Sequence, residues 1–400
     1  MRILLVTGEY PPMQGGVGDY TRELSRALLA LGADVHVLTS ADPSAPVDAS
    51  GADAGRSGTS GPTIHRLVTR WGWGVLSLAA RWVRVHRPAV VHIQYQTAAY
   101  GMHPAINCLP TWLHRRLGRA APRVVVTYHD VKVPYLFPKA YALRDWVTAL
   151  IGRAADAAVA TNVEDCAWLE RVLRGRRPYL IPIGSNVAPD LPPDFDRERR
   201  RTRWGFGPTD VVLGYFGFLN ESKGGDALIR VLDSLIKSGY NCRLLMIGGR
   251  VGSSDPTNIA YARHIDTLID ELGLTARVVW TGFSAAADVS ADLTAADVCV
   301  LPYRDGASFR RGSFMATLAH GRPIVSTEPR TPVPELRHGE NILLAPPDDV
   351  SALADQVATL INNSARRASL GAAALQLAGE FGWDAIARRT LGVYHDLGLR

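Results

Sequence analysis

The chain has 400 residues, 47% hydrophobic and 20% charged, so it carries enough apolar material for two cores and is too long for one ordinary domain. A net charge of +6 suits anionic substrates such as phosphates, or a membrane surface, and gives weak grounds for nucleic acid, which is not expected as a partner. Cys108, Cys166, Cys242 and Cys299 lie far apart with no C-x-x-C pair, which fits reduced thiols in a cytosolic protein rather than a zinc site or a disulfide set.

In chain order, Ile3 to Thr7 is a short apolar, β-rich run, followed by a helix on which Tyr20, Leu24, Ala27, Leu28 and Leu31 recur at helical spacing. Val35 to Leu38 is a second apolar run. Residues 41–63, rich in Ala, Ser, Gly, Asp and Pro, bury too little apolar surface to order themselves and read as a flexible surface insertion. Ala89 to Ile93, Arg123 to Thr127, Ala157 to Ala160 and Tyr179 to Pro182 are further buried-strand candidates. The charged, proline-bearing stretch 187–208 reads as a linker. The design then repeats, with strands expected at Val211 to Phe216, Arg243 to Ile247, Arg277 to Trp280, Val298 to Leu301 and Pro323 to Val325. Short continuous apolar runs between helices imply parallel sheets covered on both faces. Two such halves imply an α/β protein of two Rossmann-like, doubly wound domains, 1–186 and 209–382.

Met1 leads at once into an apolar run too short for a secretory leader, and no segment reaches the roughly eighteen apolar residues of a membrane span. The expected location is the cytoplasm. Val68 to Pro88 carries Trp71, Trp73 and Trp82 among Arg70, Arg81, Arg84 and Arg87. Two readings stay open: peripheral contact with the inner face of an anionic membrane, or a helix packed on the sheet with its polar face solvated.

Gly15-Gly16-Val17-Gly18-Asp19 stands between the first strand and the first helix, where glycines let backbone approach a ligand and a helix N-terminus favours an anion. A tight strand-to-helix turn explains the same letters. The dinucleotide pattern G-x-G-x-x-G fails at Thr21 and no Walker pattern is present, which argues against a nicotinamide enzyme. Tyr10-Pro11-Pro12 followed by Gly15-Gly16 resembles the opening of the GT-B glycosyltransferases, in particular the retaining enzymes of glycosyltransferase family 4.

Thr127-Tyr128-His129-Asp130, directly after a strand, resembles the family's T-x-H-[DG] segment. By that resemblance His129 is a catalytic residue beside the donor sugar, and Asp19 and Asp130 contact acceptor or sugar. Ile181-Pro182-Ile183-Gly184-Ser185-Asn186 is similar to the segment that closes the family's first domain. Phe216-Gly217-Phe218 through Lys223-Gly224 resembles the G-R-L-x-x-x-K-G segment that grips the donor diphosphate. Lys223 is present, and Phe218 replaces the arginine.

Ala316 to Val325 resembles the family's E-A-M-A-x-G-x-P-V-V run, but Ala316 and Ser308 occupy the two positions of the E-x7-E acids. Asp305 is the candidate for the first acid. Arg310-Arg311-Gly312-Ser313 brings two guanidinium groups and a helix start together, an arrangement suited to a diphosphate. Ser313 also suits a helix cap. Donor binding is therefore expected from Gly15, Gly16, Lys223, Arg310, Arg311, Gly312 and Ser313. Asp194-Phe195-Asp196 has the letters of a metal-binding D-x-D but sits in the linker, so no metal and no other cofactor is expected. Phe381 to Tyr394 resembles the family's closing helix, which crosses back onto the first domain, giving that domain residues 383–400.

The resemblance implies a GT-B architecture with an interdomain cleft and transfer of a sugar from a nucleotide sugar to an acceptor, with retention. It leaves the base, the sugar, the acceptor and the oligomeric state open. A non-catalytic binding relative and a sugar-nucleotide epimerase of the same fold remain as alternatives, the first because of the absent glutamates.

Overall fold

The structure is a computed structural model and describes residues 1–13, 15–41, 61–131, 141–185, 187, 189–250 and 256–399. Most of the insertion expected at 41–63 lies outside the described residues. The chain divides into two compact units, Met1–Gly184 with Trp383–Arg400, and Ser185–Gly382.

The first unit contains β1 (Arg2–Val6), α1 (Gly16–Ala30), β2 (Asp34–Ser40), β3 (Thr63–Val68), α2 (Gly74–His86) and β4 (Val90–Tyr95). It continues with α3 (Ala105–Leu117), β5 (Arg123–Tyr128), α4 (Tyr141–Ala154), β6 (Ala157–Ala160), α5 (Val163–Val172) and β7 (Tyr179–Leu180). Its seven strands run parallel in the order β3-β2-β1-β4-β5-β6-β7. Ile3, Leu4, Leu5 and Val6 are all fully buried, because helices cover both sheet faces. Leu4 and Val6 join a core with Val75, Ala79 and Val83 of α2 and Leu109 of α3. Ile3 and Leu5 join a core with Tyr20, Leu24 and Leu28 of α1.

The second unit runs through α6 (Arg197–Arg203), β8 (Val211–Phe216), α7 (Gly225–Lys237), β9 (Cys242–Ile247), α8 (Pro256–Glu271), β10 (Val278–Trp280), α9 (Ala286–Ala295) and β11 (Val298–Leu301). It ends with α10 (Gly312–Ala319), β12 (Ile324–Thr327), β13 (Leu343–Ala345), α11 (Val350–Ile361) and α12 (Ser364–Gly379). Its parallel order is β10-β9-β8-β11-β12-β13. Both sheets are thus Rossmann-like, as the alternation of apolar runs and helical spacing implies.

The last helix, α13 (Trp383–Asp396), packs on α1 and buries Ile386, Ala387, Val393 and Tyr394 in the core of the first unit. The stretch 187–208 is more than a connection. Within α6, Arg200 pairs with Asp292 at 2.6 Å and Asp288 at 2.9 Å, and Arg197 and Arg201 share Asp297 at 2.6 and 3.0 Å. Its charges are spent inward on α9 and the start of β11, which is why the stretch shows no apolar pattern. Asp196 of the D-x-D letters accepts from the Arg199 N–H at 2.6 Å and caps α6, while Asp194 is exposed.

In a doubly wound sheet, ligands gather where the strand order reverses, at the carboxyl ends of the strands. The reversal falls between β1 and β4 in one unit and between β8 and β11 in the other. Each carries the same device. A Cβ on Gly8, after β1, would lie 2.0 Å from the Ala99 carbonyl oxygen after β4. A Cβ on Gly224, after β8, would lie 1.9 Å from the Pro302 carbonyl oxygen after β11. Glycine is what lets the two loops touch.

Candidate functional site

In the first unit, the glycine loop leads into α1 with Gly15 as its N-cap and no capping side chain of its own. Two of the N–H groups at this helix start, those of Val17 and Gly18, are already used. Glu9 Oε1 accepts from Val17 N–H at 3.0 Å and Gly18 N–H at 3.2 Å. Burial raises the Glu9 pKa against the pull of those two bonds. A Cβ on Gly15 would sit 2.1 Å from the Glu9 carboxylate, so Gly15 makes room for the protein's own anion; Gly16 is exposed with nothing beside it. The glycine cluster thus seats Glu9 on the helix end. Asp19 lies in the first turn of α1, half-buried, with Arg22 at 3.3 Å.

His129 follows β5 and lies at the carboxyl end of the sheet. Its N–H donates to the Tyr95 carbonyl at 3.0 Å, its Nε2 is 3.0 Å from Gln94 Oε1, and Tyr20 of α1 meets the ring edge-on at 4.5 Å. Burial pushes its pKa down to about 3, so the ring is neutral at pH 7 and carries no charge with which to steady an anion. Asp130, half-buried, follows it. Below it on the same sheet face, His92 is bonded to Tyr394 and Thr127 at 2.6 and 2.7 Å, and its pKa is likewise pushed to about 3, by burial and then by His129.

The second unit gathers the cationic candidates. A Cβ on Gly217 (φ 123°) would come within 3.1 Å of Lys223 Nζ and 3.4 Å of Ser313 Cβ, so the loop after β8, the start of α7 and the start of α10 meet at one point. Arg311 stacks over the Tyr303 ring at 4.3 Å and is ion-paired to Asp305. Arg310 is farther from Asp305, at 3.7 Å, and more exposed. Lys223 has no carboxylate partner among the described residues, and burial together with the Arg311 charge pushes its pKa down to about 8. Ser313 does not cap α10; its hydroxyl bonds to Tyr303 at 2.8 Å, and α10 begins at Gly312 with no side-chain cap. Asp305, expected as a catalytic acid, is held by both arginines and serves as their anchor. The result is an under-neutralised cationic corner formed by Lys223, Arg311 and a bare helix N-terminus.

Residues 14–188 match the family described as Glycosyltransferase Family 4, and residues 210–363 the family described as Glycosyl transferases group 1. The chain is a glycosyltransferase of the GT-B type, family 4-like. Among relatives of this glycosyltransferase, a GDP-mannose-dependent alpha-(1-6)-phosphatidylinositol monomannoside mannosyltransferase of Mycobacterium tuberculosis is 24% identical over 97% of this chain and 96% of its own. D-inositol 3-phosphate glycosyltransferase 2 of Catenulispora acidiphila is 26% identical over 95% of this chain and 90% of its own. The Anabaena protein HepE, solved in complex with UDP, has the same fold, with a TM-score of 0.74 and 17% identity over 99% of this chain and 100% of its own.

Ala316, where the family resemblance expects the second acid of E-x7-E, is fully buried in the core with Val212, Leu245 and Cys299, where no carboxylate would be tolerated, and Ser308, where it expects the first, accepts from Arg310 N–H at 3.4 Å. Phe218, in the arginine's place, is 43% exposed. Asn341 is committed to the Glu335 carbonyl and the Arg337 N–H, closing its own loop. Sequence reasoning missed Glu9 and Gln94: an acid six residues before a glycine, and a lone polar residue in an apolar strand, were the available signals.

Of the tryptophans weighed for a membrane surface, Trp71 and Trp82 are core residues and only Trp73 is exposed. Trp112 on α3 and Trp146 on α4 are exposed as well, as are Arg81 and Arg84 of α2. No helix among the described residues is long and apolar enough to cross a membrane.

Proposed function

We propose that this glycosyltransferase moves a sugar from a nucleoside-diphosphate sugar to an acceptor that carries an inositol phosphate, with retention and without a metal ion. The observation that carries the donor half is the cationic corner of the second unit: Lys223, without a counter-ion among the described residues, next to Arg311 and the uncapped start of α10. Departure of a nucleoside diphosphate builds negative charge on its phosphate oxygens, and fixed donors aimed at them lower the barrier. Arg311 takes the part of the cation absent at Phe218, with Asp305 and Tyr303 holding its guanidinium in place. His129, neutral, contacts the donor sugar as a hydrogen-bonding group, with Asp19 and Asp130 toward sugar or acceptor. Retention follows the family resemblance, with same-face substitution in which the leaving phosphate assists the acceptor's deprotonation. The acceptor half is supported by the relatives, whose names place a phosphatidylinositol mannoside or an inositol phosphate on the receiving side.

If the acceptor is lipid-bound, the exposed Trp73, Trp112 and Trp146 and the exposed Arg81 and Arg84 are the side chains available to the anionic membrane that presents it. Flotation with anionic and with neutral liposomes tests this, and failure to bind the anionic ones would remove it. For the reaction, a thermal-shift panel of nucleoside diphosphates and their sugars identifies the donor. Product analysis with inositol phosphates and phosphatidylinositol then identifies the acceptor. The buried Ala316 and the Ser308 position favour one second reading, a binding protein of the same fold; it predicts that a sugar nucleotide stabilises the protein and is never consumed.

A further inference from the structure

Gln94 lies on β4, opposite Thr127 of β5, with its side chain fully buried. Its Oε1 is 3.0 Å from Nε2 of His129, while its Nε2 is buried with no partner among the described residues. An unsatisfied buried amide costs about 1–3 kcal/mol, so stability alone gives no reason for a glutamine here. A carbonyl oxygen only accepts, so the hydrogen on the His129 ring must be on Nε2 and the Nδ1 lone pair is left over. Nδ1 has no hydrogen-bond partner among the described residues; the backbone N–H of His129 is held by the Tyr95 carbonyl, and the ring itself by the Gln94 carbonyl and the edge of Tyr20.

We propose that Gln94 is the positioning residue for His129: its carbonyl fixes the Nε2–H tautomer and so presents Nδ1 as a hydrogen-bond acceptor to a hydroxyl of the transferred sugar. The tautomer stands on the geometry; the sugar hydroxyl rests on the transferase reading. Gln94 is uncharged, His92 on the same strand is neutral, and burial is the cause of the low His129 pKa, with no charged group among the described residues holding a second proton on the ring.

The test uses the full chain labelled with 15N-histidine, the His129 signals being assigned by their loss in His129→Gln. In the wild type, Nε2 is expected at the shift of a protonated pyrrole-type nitrogen and Nδ1 at that of a bare one, unchanged down to about pH 4.5. Gln94→Glu puts a carboxylate against Nε2–H and is expected to raise the titration of His129 by about 2 pH units. Its transfer rate is expected to gain an acid limb near pH 5 that the wild type lacks, because a protonated Nδ1 no longer accepts. A wild-type ring protonated on Nδ1, or one that titrates identically in Gln94→Glu, would overturn the assignment. If Gln94→Glu does not fold, the wild-type spectrum decides alone. A ring with the assigned tautomer in a protein that consumes no sugar nucleotide would sink the transferase reading, and with it the sugar hydroxyl, while the Gln94–His129 relation stands.

Discussion

The hydroxyl of Tyr394 lies 2.6 Å from Nδ1 of His92, joining residues 302 positions apart in the chain. His92 sits mid-strand in β4 and Tyr394 near the end of α13, and both are buried, so this bond fastens the returning helix to the sheet by a polar contact inside an apolar layer.

Tyr394→Phe keeps the ring and strips the hydroxyl, leaving a buried imidazole nitrogen unsatisfied. It is expected to cost about 1–3 kcal/mol. Urea unfolding monitored by a probe in the first unit checks this; an unchanged midpoint would show that the bond contributes nothing.

Acid should weaken the first unit. His92 and His129 are pushed down to about 3 and His65 to about 4, from the ordinary 6.5. A base with a depressed folded pKa binds fewer protons folded than unfolded, so stability is complete above about 6.5 and is lost as pH falls toward 3. Each such histidine adds a slope of up to about 1.4 kcal/mol per pH unit in that window. Melting temperatures between pH 7.5 and 4 measure it, and a flat profile would contradict it.

Lys223 gives the opposite dependence for ligand affinity. Its pKa of about 8 means that the free protein loses this cation as pH rises, so affinity for a nucleoside diphosphate should fall up to about tenfold per unit above pH 8. Lys223→Arg keeps the charge and should flatten the curve, and Lys223→Ala should weaken binding about tenfold or more at pH 7. Calorimetric titration with UDP and GDP at three pH values separates these outcomes.

The two arginines of the corner are not equivalent. Arg311 is the more buried, stacks on Tyr303 and depresses Lys223, whereas Arg310 is looser. Arg311→Ala should lose diphosphate affinity about 10- to 100-fold and Arg310→Ala less than about 3-fold. Equal losses would mean that the corner is not built around Arg311.

Much of the fold was legible because buried parallel strands read as unbroken apolar runs: Ala157 to Ala160 and Val211 to Phe216 coincide with β6 and β8. β3 escaped notice because Thr63, His65 and Arg66 break its pattern at a sheet edge, and β13 because three residues carry no periodicity. At the candidate site, Lys223 is marked by likeness to a family and Arg310 and Arg311 by paired guanidinium groups at a helix start, since charge before glycine at a helix start is a local signal. Glu9 and Gln94 could not, because their partners are Val17, Gly18 and His129, and which groups meet across a loop or between strands is decided by the tertiary fold. The arginines of α6 misled for a related reason: composition counts their charges and cannot tell that Asp288, Asp292 and Asp297 neutralise them.

Because α13 follows the second unit in the chain and yet completes the first, the order of synthesis and the order of assembly differ. All of residues 185–382 leave the ribosome before Tyr394 does, so the second unit has its whole sequence available first. Until then α1 presents an uncovered stripe, with Tyr20, Leu24 and Leu28 on the layer that Ile386 and Val393 later close. The half made earliest is finished last, and in the interval a chaperone or an aggregate has its opening.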